Sequence, residues 1–205
     1  MTDYPTTALY ETERLRLRPV LLSDEESVHA LLSDERVVRF TLFPVFTAER
    51  ARAFVTRLHA EPGSTQAPQI VFAIVDRTTD SVIGLCGLVL NAARDQAELW
   101  YLLAPALWGQ GLVTEAAGEL VDRAFRDLAL HRVWASCVPE NPASTRVLEK
   151  LGFRREGHLR KNLLIQAHWR DSFLYAILAD EWLLSEQAAV PIPPESTRPG
   201  RVPPN

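Results

Sequence analysis

Cysteine is scarce in this chain. Only Cys86 and Cys137 occur, each inside a strand-like apolar run, so buried free thiols are expected rather than a disulfide framework. The five histidines are scattered and no Cys/His spacing suits zinc, so no metal site is expected. A basic excess is missing too. The 22 Lys and Arg stand against 26 Asp and Glu, a formal net charge of -4, which argues against nucleic acid as a partner and is compatible with a cationic one. No apolar run approaches the roughly 20 residues that cross a bilayer. The opening Met1-Thr2-Asp3-Tyr4 does not begin a basic-then-apolar leader. The expectation is a cytoplasmic chain without membrane contact, as a monomer or homodimer.

Several catalytic signatures are also absent. No Gly-x-Ser-x-Gly elbow exists, so a covalent serine route is not indicated. No Gly-Lys-Ser/Thr follows the one Gly-x-Gly loop, and no third glycine completes a dinucleotide fingerprint. What is present is an ordinary globular composition, 47% hydrophobic and 23% charged over 205 residues, enough for one domain with a sizeable core.

Along the chain, Leu15 and Leu17 alternate with Arg14, Arg16 and Arg18, a half-exposed strand over 13–20. Ser23 and Glu26 have capping-box spacing for a helix through Leu32. A second helix starts after Thr47, and Phe40, Phe43 and Phe46 between the two read as core aromatics. Residues 61–66 read as an exposed loop. Residues 70–76 and 81–90 form a hairpin whose Gly84 and Gly87 mark a bulge or a close backbone approach. Strands over 96–103 and 133–138 flank a helix that begins at Leu112. A short helix runs from Pro142, capped by Asn141 and stopped at Gly152. Two last strands cover 153–158 and 170–178, separated by a loop over 159–169. Six of the 14 prolines lie within 188–205, the composition of an unfolded tail. The fold class is α/β (α+β): one domain over 10–184, a mixed sheet with helices.

Function concentrates in two stretches. Residues 100–114 pass from strand to Trp108-Gly109-Gln110-Gly111 and then to a helix start at Leu112-Val113-Thr114. First-turn N–H groups lack internal partners and carry partial positive charge. Glycines leave room for a ligand at the backbone. Such a loop suits a phosphate or pyrophosphate, although a tight turn alone would look the same. The second stretch is Asn-Pro-Ala-Ser-Thr-Arg-Val-Leu-Glu-Lys-Leu-Gly-Phe at 141–153. Its helix puts Ser144, Val147, Leu148 and Leu151 on one face, a hydroxyl ahead of apolar groups.

Together with Thr12-Glu13-Arg14-Leu15-Arg16-Leu17-Arg18-Pro19, Ala97-Glu98, Trp100-Tyr101 and Trp169-Arg170-Asp171, these stretches resemble the GNAT acetyltransferase superfamily, most nearly its Rim-type branch of ribosomal-protein N-terminal acetyltransferases. The resemblance covers roughly 10–180. It implies a mostly antiparallel twisted sheet and acetyl-CoA as cosubstrate, without a metal. Trp108, Gly109, Gln110, Gly111, Leu112, Val113 and Thr114 would hold the pyrophosphate by backbone N–H groups. Leu102 and Leu103 would pair with the pantetheine arm, and a strand N–H near Leu102 would stabilise the oxyanion. Asn141 and Ser144 would lie near the thiol. The implied reaction is direct attack of a primary amine, on a protein N-terminus or a small molecule, with Glu98 as the base through water. The family's usual acid, a tyrosine, is Leu148 here, which moves that role to Ser144. Asp171 is a weaker candidate that orders the 159–169 loop or touches the acceptor. A non-catalytic acyl-CoA-binding module and an interaction protein using the tail are the other classes the sequence permits.

Overall fold

The computed structural model describes residues 9–59 and 69–189. Its strands are β1 Tyr10–Glu11, β2 Leu15–Pro19, β3 Gln69–Asp76, β4 Ser81–Leu90, β5 Gln96–Leu103, β6 Arg132–Cys137, β7 Arg154–Ile165 and β8 His168–Leu178. Its helices are α1 Glu25–Leu32, α2 Glu35–Val38, α3 Ala48–Leu58, α4 Leu112–Arg126, α5 Pro142–Lys150 and α6 Ala179–Ala189. The strands form one sheet in the order β1-β2-β3-β4-β5-β6-β8-β7. All neighbours are antiparallel except β5 and β6.

Strand alternation gives the sheet two apolar faces. On one, Leu15, Leu17, Phe72, Ile74, Leu88, Leu99 and Leu103 meet Leu112, Ala116, Leu120, Val121 and Ala124 of α4. On the other, Ala73, Val75, Leu85 and Leu102 meet Val28, Leu32, Ala51, Phe54 and Val55 of α1 and α3. Each such Leu, Val or Phe removed from water contributes about 1.5–3 kcal/mol. The sheet is thus clamped between helices, with β5 in both layers.

Several local expectations are corrected. Asp24, not Ser23, holds the N-cap position of the first helix; its carboxylate makes no bond to that helix and instead accepts from Leu21 N at 2.7 Å and from Arg18 at 2.6 and 2.9 Å. A short 3₁₀ turn over Leu22–Asp24 moves the start past Ser23. The last hairpin is longer than its polar sequence suggested: the loop shrinks to Gln166-Ala167, with φ of 49° and 63°. That is the primed-turn backbone without its usual Gly or Asn. β1, α2 and α6 had no expected counterpart, and α6 extends to Ala189, past the start of the expected tail. The expected 61–66 loop and the rest of the tail lie outside the described residues. In the 70–90 hairpin the register shifts beside Gly84, and a Cβ on Gly87 would sit 2.7 Å from Ile70 O and 2.8 Å from the Trp100 ring. Phe43 and Phe46 pack on Phe54, and Phe43 on Trp100, as core aromatics.

Candidate active site

α4 starts without a cap. Gly111, its N-cap, has φ 78° and ψ 1° and no side chain to offer, while α3 and α5 are capped by Thr47 and Asn141. The first intrahelical donor is Glu115 N, to Gly111 O at 3.0 Å. The N–H groups of Leu112, Val113 and Thr114 precede it and have no helical acceptor. Leu112 itself is buried in the core, so it offers its backbone alone. Gly109 also has φ 78°, and a Cβ there would meet nothing within 4 Å. The loop is open on the side where a ligand would lie.

Two contacts fix this loop. Arg14 Nη1 donates to Gln110 O at 2.9 Å, while its Nε donates to Glu115 Oε2 at 2.7 Å. Glu115 Oε1 also accepts from Arg14 N at 2.8 Å. The start of β2 therefore grips both the loop and the first turn of α4. At the other end, Trp108 Nε1 donates to Leu103 O at 2.8 Å, pinning the loop to the end of β5. The sequence showed the Thr12–Pro19 motif without showing this use of it.

A wedge opens beside β5. It pairs with β6 only at Gln96↔Arg132, Ala97↔Val133 and Glu98↔Trp134. Beyond Glu98 the two strands diverge. Ala104 N donates to Ile83 O at 2.9 Å, and β4–β5 pairing runs without a shift from Gly84↔Leu103 to Leu90↔Ala97. Antiparallel ladders alternate, so the amide of Leu102 turns to β4 while those of Tyr101 and Leu103 face the wedge. The wedge-facing donors on this strand are therefore Tyr101 N and Leu103 N, one residue to either side of Leu102.

α5 stands at the wedge. Asn141 Oδ1 accepts from Ser144 N at 3.2 Å, the N-cap bond its sequence implied. Ser144 Oγ lies 2.8 Å from Tyr101 Oη, where either hydroxyl can donate, and Ser144 O at 3.3 Å is the alternative acceptor for the one Tyr101 hydrogen. Burial pushes the Tyr101 phenol far above its ordinary value, with the Ser144 bond offsetting part of the rise, so it keeps its proton. Sequence reasoning placed Trp100-Tyr101 in the family pattern but gave Tyr101 no role of its own and no contact with Ser144. The signal was available: Tyr101 lies on the α4 face of β5 with Leu99 and Leu103, the face that α5 covers. Leu148 is fully buried in the core and has no opening to the wedge.

Glu98 lies on the other face of β5, with Trp100 and Leu102. The structure therefore does not bring it beside Ser144. Burial raises its carboxyl above the ordinary value. Among the described residues it has no hydrogen-bond or ion-pair partner. Asp171 accepts from Lys161 N at 3.0 Å and contacts His158 Nε2 at 2.8 Å, so it orders the β7–β8 hairpin.

An uncapped glycine-loop helix, a parallel strand pair that splays, and a hydroxyl pair at the splay stand together at one place on a mixed sheet. The family model for the acetyltransferase (GNAT) domain matches residues 14–154. The chain belongs to the GNAT acetyltransferases. It is similar to the uncharacterized N-acetyltransferase YnaD of Bacillus subtilis (strain 168), 32% identical over 171 residues that cover 83% of this chain and 97% of that one. A GNAT-family acetyltransferase from Bacillus anthracis matches with a TM-score of 0.76 and 31% identity, over 85% of this chain and 100% of that one. The ribosomal-protein-S5-alanine acetyltransferase from Vibrio fischeri matches with a TM-score of 0.73 and 25% identity, over 85% and 98%. Among the described residues, no helix is long and apolar enough to cross a membrane.

Proposed function

We propose that this acetyltransferase moves an acetyl group from acetyl-CoA to a primary amine by direct attack, the acceptor being a protein N-terminal α-amino group or a small-molecule amine. The cradle fits the cosubstrate: Gly109 leaves its Cβ space open, a Cβ on Gly111 would meet only the Arg14 guanidinium at 3.7 Å, and three helix N–H groups precede the first intrahelical bond. When bound, acetyl-CoA supplies an activated thioester. Gly109 to Thr114 bind its pyrophosphate by backbone N–H groups. Leu103 N and Tyr101 N offer hydrogen bonds inside the wedge, to the arm and to the oxygen where negative charge develops.

The observation that carries this reading is the Tyr101–Ser144 hydroxyl pair. A hydroxyl rotates to suit its partners. When Tyr101 donates to Ser144 Oγ, the Ser144 hydrogen is free to point at a leaving thiolate. Ser144 is then the catalytic donor and Tyr101 the positioning residue behind it. Glu98, half-buried and unpaired, takes the amine's proton through water, and its raised pKa brings it closer to the useful range for a general base. The resemblance to ribosomal-protein acetyltransferases supports a protein α-amino acceptor. The test is a panel of amines and N-terminal peptides assayed for free thiol release. A second reading, an acyl-CoA-binding module without turnover, is favoured only if acetyl-CoA binds and no acceptor releases thiol.

A further inference from the structure

Arg155, His158, Arg160, Lys161, His168 and Arg170 line one open groove of about 1200 Å³. Among the described residues only two carboxylates share it, Glu140 and Asp171. This is a local inversion of sign in a chain of net charge -4. The groove runs along the β7–β8 hairpin and reaches Pro139 and Glu140, the two residues before Asn141. Its wall at Phe173 pairs with Cys137, whose Sγ lies 3.6 Å from Thr145 Oγ1 in the first turn of α5. It therefore begins at the edge of the wedge.

The groove is built by a bulge. Between Leu159↔Ser172 and Leu163↔Arg170, three β7 residues stand opposite Asp171 alone. Lys161 takes φ 48° there, held by its N–H to Asp171 Oδ1. The fully buried Ser172 donates to Asn162 Oδ1 at 2.9 Å. The bulge leaves Arg160 and Lys161 exposed on the groove. Both carboxylates are already engaged, Glu140 with Arg170 at 3.2 Å and Asp171 with His158 and the bulge. Among the described residues no carboxylate pairs with Arg155, Arg160 or Lys161. Arg170 Nε is buried without a partner among them. Four Arg and Lys side chains against two carboxylates leave a positive excess, and an anionic partner relieves the repulsion within it. The groove lies over the β7–β8 pair, with the exposed Trp169 in its lining.

We infer that this groove receives an acidic peptide: the acceptor amine is the N-terminus of a chain whose following residues carry carboxylates. This rests on the acetyltransferase reading of the adjoining site. A polyamine would meet the groove's charges with its own and be repelled. An extended peptide advances about 3.3 Å per residue, so a few residues carry it from the wedge onto the groove.

The test is fluorescence anisotropy on the full chain saturated with CoA, using C-terminally labelled hexapeptides. One carries Asp and Glu after its second residue, and its counterpart carries Asn and Gln. The acidic peptide is expected to bind about tenfold or more tightly at low salt, and the difference to shrink at high salt. Arg160→Glu with Lys161→Glu is expected to abolish the difference, and Arg160→Gln with Lys161→Gln to reduce it. Both positions are exposed, so melting temperature should hold, and Arg36→Glu on α2 should leave binding unchanged. Equal affinities for the two peptides, or a difference that survives charge reversal, overturn the inference. So does tighter binding of a short single-stranded RNA than of the acidic peptide. A parallel thiol-release assay with acetyl-CoA and the same two peptides separates the groove from the enzyme reading. A chain that binds the acidic peptide and releases no thiol overturns the enzyme reading alone. One that acetylates both peptides with equal KM overturns the groove alone.

Discussion

Tyr101 Oη and Ser144 Oγ lie 2.8 Å apart, joining β5 to α5 across the splayed edge of the sheet. Ser144→Ala removes the donor that faces the thiol. Turnover is expected to fall about 10²-fold, the range of a single positioned donor, while acetyl-CoA affinity stays near wild type. Tyr101→Phe leaves Ser144 in place without its backing and should cost less. If the two act as a unit, the double variant is little worse than Ser144→Ala alone. Single-turnover kinetics and calorimetry on the three variants check this. Leu148→Tyr offers no rescue: the position is fully buried, and overpacking there is expected to cost about 1–3 kcal/mol, read as a lowered melting temperature.

Glu98 carries a pH signature. Burial raises its carboxyl above the ordinary 4.5, so kcat/KM should rise with pH along a limb displaced upward from that value. The stability effect has the opposite sense. A carboxyl whose folded pKa is raised holds its proton better when folded. It therefore favours the folded state at low pH and loses that advantage as pH climbs from the unfolded value through the folded one. Glu98→Gln should remove the cost of burying the charge. It is expected to melt higher than wild type at neutral pH, with turnover reduced about 10²-fold. A variant with unchanged turnover would rule Glu98 out as the base.

How far the sequence reached can be judged at these residues. The strand, glycine loop and helix around Trp108–Thr114 were legible because turn and cap chemistry are local. So was Asn141, whose capping geometry follows from its neighbour Pro142. Tyr101, Arg14 and Glu115 were not legible in role, because their partners lie 43, 96 and 101 residues away. No periodicity reports such a contact. The Gln166-Ala167 turn was missed because neither residue carries the usual left-handed preference. Net charge misled as well: a sum of -4 hides a basic groove.

Loop geometry should control cofactor affinity. Gly111 sits at φ 78°, where any L side chain costs about 1–2 kcal/mol. Gly111→Ala is expected to weaken acetyl-CoA by about tenfold with the fold retained. Arg14→Ala, which frees Gln110 O and Glu115, should weaken it too. Calorimetry showing wild-type affinity in both would detach the loop from the cofactor.

Asp24 tests the fold apart from the chemistry. Burial pushes its carboxyl up, but the Arg18 guanidinium and Leu21 N–H outweigh this and hold it below its ordinary value. Its contribution is complete above the unfolded value and fades as pH falls through the lower folded one. Asp24→Asn leaves Arg18 without its partner and should cost about 3 kcal/mol by denaturant titration, without changing acetyl-CoA affinity beyond the loss of folded protein.

The central claim is acetyl transfer to an amine. The direct measurement is thiol release from acetyl-CoA with and without an N-terminal peptide, read together with the peptide's mass. The expected result is amine-dependent thiol release matched mole for mole by a peptide one acetyl group heavier, and its loss in Ser144→Ala. Tight acetyl-CoA binding with no amine-dependent release across the whole acceptor panel would contradict it and leave an acyl-CoA-binding module.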